Sequence, residues 1–212
     1  MDKTKSEIRI SMNKFVAMDI DGVLADFEGF LVEYLKDVHP EYAQVNRDIY
    51  DLKHRYPSDV YEDVSRFVAD PNAYYAVPRA NDGFQFLNEL SDEGVDVLLV
   101  TSRPIASETF TKRWVAKQMK EWGMNYNDLR GVSFAPNKSA FLFPMREHIA
   151  FLVDDNPEDV LEAQKFGLTA YSWVQPWNEH VYPKVFVTRD EYTMFQKDES
   201  TEARYFWEKE IE

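Results

Sequence analysis

The sequence predicts an α/β fold, in which helices cover both faces of a parallel sheet and a small helical cap is inserted. Near-continuous apolar segments alternate with segments whose apolar residues recur at helical spacing, as is typical of parallel sheets. A charged, tyrosine-rich stretch over residues 41–76 interrupts this alternation and predicts the cap. The chain has 212 residues, of which 44% are hydrophobic, which is enough for one core with a small insert.

Five short apolar segments predict the strands of this sheet. They are residues 15–20, 95–101, 131–135, 149–153 and 168–174. Because each is nearly continuous in apolar residues and most lead into polar or turn-forming residues, we expect strands buried on both faces.

Four segments with helical spacing predict the helices that cover the sheet. They are residues 26–38, 82–93, 106–122 and 157–166. Pro40 follows the first, and the other three are followed by Gly94, Gly123 and Gly167. Proline cannot continue a helix and glycine favours its C-terminal end, so these residues predict where the helices stop.

The same patterns divide the chain into three parts. Residues 1–26 and 77–195 are predicted to form the core, and residues 27–76 a helical cap insert. Residues 196–212 form an acidic C-terminal tail, and for its segment DESTEARYFWEKEIE (198–212) we expect a solvated helix.

Composition excludes several classes of protein. The chain has no cysteine, which excludes disulfide scaffolds and thiolate metal sites, and neither a GxGxxG nor a GxxxxGK[ST] motif occurs. No apolar run approaches the roughly 20 residues that span a bilayer, so we expect no membrane partner. Residues 1–14 are charged and lack the apolar segment of a secretory signal, so we expect a cytoplasmic protein. The net charge of −14 disfavours duplex nucleic acid as a partner.

Reactive residue types lie at or just after the ends of four of the five predicted strands. In chain order they are Asp19 and Asp21, Thr101 and Ser102, Lys138, and Asp154 and Asp155. Ligands bind at the carboxyl ends of the strands in open α/β sheets, so we expect these side chains to form one site.

Acidic side chains gathered in this way need a cation. Two carboxylates about 4 Å apart repel by roughly 4 kcal/mol at an effective dielectric constant near 20. Oxygen ligands without histidine or cysteine suit Mg²⁺, which commonly takes a substrate phosphate as a further ligand. Lys138 would add a positive charge suited to phosphate. The sequence therefore predicts a Mg²⁺ site that binds a small phosphorylated substrate.

Phosphoryl transfer fits this set of residue types. A carboxylate can attack phosphorus and form an aspartyl-phosphate, and a second carboxylate two residues later can protonate the leaving oxygen and then deprotonate water. The hydroxyl of Thr101 can hold a phosphoryl oxygen.

Four segments of the chain resemble the ordered motifs of the haloacid dehalogenase-like phosphohydrolases. They are MDIDGVLADF (18–27), LLVTSRP (98–104), Lys138 and LVDDNPEDV (152–160). The resemblance covers residues 15–174, and the insert lies where that superfamily places a cap of the first type. It implies a Rossmann-like sheet with the first strand in a central position.

Two features resemble the 5'(3')-deoxyribonucleotidase branch of this superfamily. They are the DxDGVxADF form of the first motif and the segment AYYAVPRANDGFQFLNEL (73–90). The stretch between Lys138 and Asp154 is longer than is usual in the nucleotidases. The resemblance implies a phosphoric monoester hydrolase that acts on nucleoside monophosphates.

The resemblance also implies catalytic and metal-binding roles for the four aspartates. Asp19 would be the nucleophile and a Mg²⁺ ligand, and Asp21 the general acid and base, binding the metal through its backbone carbonyl. Asp154 would complete the metal site, and Asp155 would bind through water or orient the other ligands.

The remaining candidates would bind the substrate. By the same resemblance Thr101 and Lys138 bind the phosphoryl group, and Ser102 lies beside them. Aromatic side chains near the ends of the insert could stack on a nucleobase, and Arg103 could reach the substrate. The aromatic candidates are Phe27, Tyr74 and Tyr75.

Two alternatives stay open at this point. A phosphatase acting on the 3' end of a polynucleotide would need a basic groove, for which Arg47, Lys53, Arg55 and Arg66 are the only hint. A non-hydrolytic phosphoacceptor or binding module would also use acidic residues, threonine and lysine on a parallel sheet. The sequence leaves the oligomeric state open, a homodimer included.

Overall fold

The computed structural model describes residues 14–181, 184–187, 192–197 and 203–205. The charged N-terminal segment, apart from its last residue, lies outside the described residues, as does most of the acidic tail. No helix in the described part of the chain is both long and apolar enough to cross a membrane.

The described strands form one sheet with the order β3-β2-β1-β4-β5-β6-β7-β8. Their bounds are β1 Phe15–Met18, β2 Val97–Thr101, β3 Leu129–Phe134, β4 Ile149–Asp154, β5 Ala170–Trp173, β6 Lys184–Val187, β7 Tyr192–Lys197 and β8 Ala203–Tyr205. The strands from β3 to β6 are parallel, and β7 and β8 extend the sheet in antiparallel orientation. β1 lies between β2 and β4, so the predicted Rossmann-like α/β fold is confirmed.

Helices lie between the strands and in the insert. Their bounds are α1 Phe27–Val38, α2 Leu52–Arg55, α3 Ser58–Ala69, α4 Ala73–Ala76, α5 Asn81–Asp92, α6 Glu108–Glu121, α7 Lys138–Leu142 and α8 Pro157–Lys165. The helices predicted from apolar spacing correspond to α1, α5, α6 and α8, with ends shifted by at most two residues. The glycines that follow α5, α6 and α8 all have positive φ angles, between 70° and 78°.

Side chains of β1 alternate between two apolar cores, one on each face of the sheet. Val16 and Met18 pack in the core that α5 and α6 cover. Phe15 and Ala17 pack in the core that α7 and α8 cover. All four are at most 1% exposed, which explains why the strand has no polar face.

The insert has a small apolar core of its own. It is built from α1, α3 and the segment between them, and its buried members are Leu31, Val32, Leu35, Ala43, Tyr56, Val60 and Val64. The division of the chain at residues 26 and 77 stays a prediction.

The sequence patterns missed four elements. Strands β6 to β8 follow the last predicted strand, and β8 forms where the tail was expected to be helical. The prediction of a helix is wrong for those three residues, because pairing of β8 with β7 decides their conformation. Helix α7 was also not predicted. Together with a 3-10 helix at Phe143–His148, it occupies the long stretch between Lys138 and β4.

Candidate active site

The ends of β1 and β4 bring two predicted aspartates together. Met18 pairs with Val153 in the parallel ladder, and the amide of Asp19 donates to the carbonyl of Val153 at 2.9 Å. Asp19 therefore lies beside Asp154, at the carboxyl end of both strands. One carboxylate oxygen from each of Asp19, Asp154 and Asp155 lies within 4.8 Å of the other two.

Lys138 enters this cluster from the start of α7. The side chain of Asn137 caps that helix by accepting from the amide of Ala140 at 2.7 Å. The Lys138 ammonium then lies 2.7 Å from Asp154 Oδ2 and 3.0 Å from Asp19 Oδ2, and the residue is 1% exposed. The structure thus places Lys138 at the aspartates despite the long stretch that separates it from Asp154 in the sequence.

Asp159 is a fourth acidic neighbour, which the sequence patterns did not indicate. Its Oδ2 atom lies 3.6 Å from the Lys138 ammonium and accepts from the side-chain amide of Asn156 at 2.8 Å. Its place in the first turn of α8, directly after the end of β4, is the signal that could have identified it.

Gly22 lets the first acidic turn approach Asp155. Its φ angle is +73°, and a Cβ atom on it would lie 2.0 Å from Asp155 Oδ2. Any other residue would be strained there and would displace the carboxylate. The glycine of the Asp-Gly turn is therefore required by the packing of the site as well as by the turn.

Burial and mutual repulsion dominate the electrostatics of the cluster. Burial raises the pKa of Asp19 to about 8, although Lys138 opposes the change. Burial and the charge of Asp19 raise the pKa of Asp155 well above its usual range, and burial raises that of Asp154. Burial opposes the charge of Lys138, but Asp154 and Asp19 together hold its pKa well above the ordinary value. One ammonium cannot balance these carboxylates.

The donor set fits a hard divalent cation. Asp19 Oδ1 is buried and has no hydrogen-bond partner among the described residues, whereas Oδ2 of the same carboxylate is paired with Lys138. A buried carboxylate oxygen without a donor is costly unless a cation binds it. Asp19, Asp154 and Asp155 could hold such an ion; the carboxylate of Asp21 is not part of this group.

Asp21 is held by Arg103 instead. Arg103 Nε and Nη2 donate to the two carboxylate oxygens of Asp21 at 2.8 Å and 2.6 Å. The guanidinium also donates to Thr111 at 3.2 Å and lies 4.6 Å from the centre of the Tyr74 ring. Because Arg103 is only 3% exposed and already paired, its clearest role in the structure is to orient Asp21.

Thr101 and Ser102 occupy different environments at the end of β2. Thr101 is 1% exposed, and its hydroxyl oxygen accepts from the amide of Arg103 at 3.2 Å. Ser102 is exposed and lines the cavity described below.

A cavity of about 600 Å³ opens between these turns and the insert. The core side contributes Asp21, Ser102, Arg103 and Asp155. The insert side contributes Phe27 and Tyr74, whose rings are stacked with centroids 6.5 Å apart. The third aromatic candidate, Tyr75, is not among the lining residues; it is 44% exposed and lies against Lys117.

Four further residues among those that line the cavity were not predicted as site residues, although Arg55 was noted as a basic residue of the insert. They are Glu28, Tyr50, Arg55 and Trp177. Burial and the charge of Asp155 raise the pKa of Tyr50, and the residue as a whole is 39% exposed. The abundance of tyrosine in the insert was a signal for Tyr50, but no pattern distinguished it from its neighbours.

Most of the basic residues noted in the insert are paired with carboxylates. Arg55 Nη1 donates to both oxygens of Glu28 at 2.9 Å and 2.7 Å, and Arg47 donates to the same carboxylate at 3.1 Å. Arg66 is paired with Asp63. These residues therefore do not form a free basic groove.

Comparison with known proteins gives matches among solved structures alone. No family model matches the chain, and no curated protein sequence matches it. The chain is similar to a haloacid dehalogenase-like hydrolase from Streptococcus pneumoniae (14% identity, 75% of this chain and 83% of that one, TM-score 0.46). It is also similar to L-2-haloacid dehalogenase from Xanthobacter autotrophicus (16% identity, 76% of this chain and 77% of that one, TM-score 0.48). A third similar structure is a HAD family hydrolase from Deinococcus radiodurans with bound phosphate and sodium (17% identity, 75% of this chain and 80% of that one, TM-score 0.48).

Proposed function

We propose that this protein is a Mg²⁺-dependent phosphomonoesterase that hydrolyses nucleoside monophosphates through an aspartyl-phosphate. The observation that carries the proposal is the state of Asp19. Its carboxylate is buried at a strand end, with one oxygen on Lys138 and the other without a donor in the described structure.

Asp19 and Asp21 divide the chemistry between them. A carboxylate oxygen of Asp19 attacks phosphorus, the bond to the leaving oxygen breaks, and a protonated Asp21 gives that oxygen its proton. Asp21 then takes a proton from water, which attacks the phosphoryl group and releases phosphate from Asp19. Arg103 orients the Asp21 carboxylate for the step in which it takes the proton from water.

Positive charge at the phosphoryl group comes from two sources. Lys138 lies between Asp19 and Asp154 and supplies a fixed ammonium. A bound Mg²⁺, held by Asp19, Asp154 and Asp155, would neutralise charge that develops on the phosphoryl oxygens. Thr101 is the last residue of β2 and Ser102 follows it directly, and both supply hydroxyl groups for the same oxygens.

The cavity supports a small substrate with a planar group. Its volume of about 600 Å³ is in the range of small-molecule sites, and Phe27 and Tyr74 line it beside Asp21. The pairing of Arg47, Arg55 and Arg66 with carboxylates leaves less positive charge for a polynucleotide backbone. Both observations favour a mononucleotide over a polynucleotide end.

Phosphate release from a panel of substrates tests this proposal. The panel contains nucleoside 5'- and 3'-monophosphates, sugar phosphates and a 3'-phosphorylated oligonucleotide, each with Mg²⁺ and with EDTA. We expect turnover of a nucleoside monophosphate with Mg²⁺ alone, and a loss of about 1,000-fold or more in kcat for Asp19→Asn.

Asp96→Asn is the matched control, because the Asp96 side chain is 63% exposed and its ion pair with Arg130 is long, at 3.4 Å. Repeated turnover by this variant and not by Asp19→Asn would support the proposal. A single equivalent of trapped phosphate would instead indicate a phosphoacceptor module. Chloride release from 2-chloropropionate without phosphate release would indicate that the site dehalogenates a carbon atom and does not transfer a phosphoryl group.

A further inference from the structure

The segment that follows β5 contacts the two acidic turns of the site, which are the turn at Asp21 and Gly22 after β1 and the turn at Asp155 after β4. Gln175 Nε2 donates to the carbonyl of Gly22 at 2.8 Å, next to Asp21. Trp177 Nε1 and Asn178 Nδ2 both donate to the carbonyl of Asp155, at 3.0 Å and 2.8 Å. The backbone of Asp155 is thus fixed by two side chains from a segment outside the four sequence motifs.

Trp177 also faces the insert with its ring. The indole is buried, its centroid lies 6.1 Å from that of Tyr50, and the Arg55 guanidinium lies 5.8 Å from the ring. One side chain therefore contacts the insert through its ring and the acidic cluster through its N–H group.

The insert side of this contact is held in place by Arg55. Its Nε and Nη2 atoms donate to the carbonyl of Ile49 at 2.8 Å and 2.6 Å, and its Nη1 atom is paired with Glu28. Since Ile49 precedes Tyr50 directly, Arg55 fixes the segment that carries the tyrosine ring. A displacement of α1 or α2 would therefore move the surface on which Trp177 rests.

We propose that Trp177 is a positioning residue that couples the location of the insert to the location of Asp155 in the acidic cluster. The Asp155 carboxylate has little freedom of its own, because Gly22 is packed against it. A shift of the indole would be transmitted through the N–H bond to the Asp155 backbone and from there to its carboxylate. The proposal rests on the proposed function only where it treats Asp155 as part of a metal site.

Hydrogen exchange of the full, metal-free chain tests the coupling without any reaction. Trp177→Phe keeps a ring but removes the donor, and we expect several-fold faster amide exchange over residues 154–156. Trp122→Phe is the matched control, since the described structure gives the Trp122 N–H group no acceptor. We expect the control to leave exchange over residues 154–156 unchanged.

Substitution of Tyr50 tests the insert side of its ring contact with Trp177. We expect Tyr50→Ala to increase exchange over residues 154–156 as well as in the insert, although Tyr50 belongs to a different part of the chain. Tyr50→Phe keeps the ring contact and should restore the exchange of wild type. Faster exchange in the insert alone would overturn the coupling.

Mg²⁺ titration and kinetics supply the functional readouts. Groups that orient metal ligands commonly change metal affinity by about 10–100-fold, so Trp177→Phe should raise the Mg²⁺ concentration for the half-maximal shift in Tm about tenfold. With saturating Mg²⁺ we expect kcat to rise toward that of the wild-type protein, which a general loss of folding would not give.

Unchanged Mg²⁺ affinity and unchanged exchange over residues 154–156 in Trp177→Phe would overturn the proposal. Failure of the proposed function would look different. The wild-type protein would then release no phosphate, while the exchange measurements would still support or overturn the coupling.

Discussion

Two clusters of charged residues have members that line the cavity, and they differ in how their charges are balanced. In the insert, Glu28 is paired with Arg55 and Arg47, and Arg55 also donates twice to a backbone carbonyl. At the strand ends, one ammonium, that of Lys138, faces several aspartates.

This difference separates a structural cluster from a candidate ligand site. Buried ions are costly unless opposite charges and hydrogen bonds compensate for lost hydration. The pair of Glu28 and Arg55 is complete within the chain, whereas a single ammonium faces three aspartates at the strand ends and Asp19 Oδ1 has no donor in the described structure. Burial of charged groups alone therefore does not indicate function. A cluster with more carboxylates than cations, and a buried carboxylate oxygen without a hydrogen-bond donor, do indicate a ligand site.

Removal of one partner from the balanced cluster should have the largest effect on stability. Glu28→Ala leaves the Arg55 guanidinium buried and without its carboxylate, which typically costs about 3–5 kcal/mol. Denaturant unfolding measures the change. Glu33→Ala in the same helix is the matched control, because that side chain is 68% exposed and we expect a change below about 1 kcal/mol. Equal effects of the two variants would contradict the assignment of Glu28 and Arg55 as a structural pair.

The unbalanced cluster should make the metal-free protein less stable as the pH rises. Asp19 has a pKa of about 8 in the folded chain and near 3.8 in the unfolded one, so between these values the folded chain holds the extra proton. By linkage, the free energy of unfolding then falls as the pH rises, and we expect a drop of about 5 °C or more in Tm between pH 5 and pH 8 in EDTA. Mg²⁺ should reduce the drop, because it binds the carboxylate form.

Asp19→Asn is the control for this pH dependence, since its side chain cannot titrate. Its Tm should vary less between pH 5 and pH 8 than that of the wild-type protein. The same slope in both proteins would show that other groups cause the dependence.

Removal of one charge from the unbalanced cluster should have the opposite sign to Glu28→Ala. Asp155→Asn replaces a buried carboxylate by an amide of the same size, so we expect the metal-free protein to gain about 1 kcal/mol in stability. The same variant should lose most of the shift in Tm that Mg²⁺ gives the wild-type protein. A loss of stability in EDTA would mean that the Asp155 charge is already compensated.

The smallest effect is expected for the outer partner of Glu28. Arg47 is 40% exposed at its side chain, and Glu28 keeps Arg55 when Arg47 is replaced. We expect Arg47→Met to change the free energy of unfolding by less than about 1 kcal/mol, measured by denaturant unfolding. A change as large as that of Glu28→Ala would show that the insert depends on both arginines.

The parallel part of the sheet and its covering helices could be predicted because their signals are local. The five predicted strands became β1 to β5, and the glycines after α5, α6 and α8 marked helix ends by their left-handed conformation. The site could be predicted in outline for a related reason. Parallel strands end at the same edge, so residues that follow β1, β2 and β4 must lie near each other.

Other features depend on contacts between distant segments. β8 forms by pairing with β7, and Asp159 reaches Lys138 because α8 starts beside the end of β4. In the sequence Arg55 was a candidate for a basic groove, but it is buried and paired with Glu28, 27 positions earlier in the chain. No local pattern reports such pairings.

The sequence by itself determined the α/β alternation, the order of the reactive residues and the side of the sheet on which they meet, because hydrophobic periodicity and strand polarity are properties of short segments. Only the tertiary structure decided which charges are balanced. It paired Arg103 with Asp21 and Arg55 with Glu28, and left Asp19 with an oxygen that no described donor reaches. The physical reason is that burial and pairing depend on side chains brought together from distant parts of the chain.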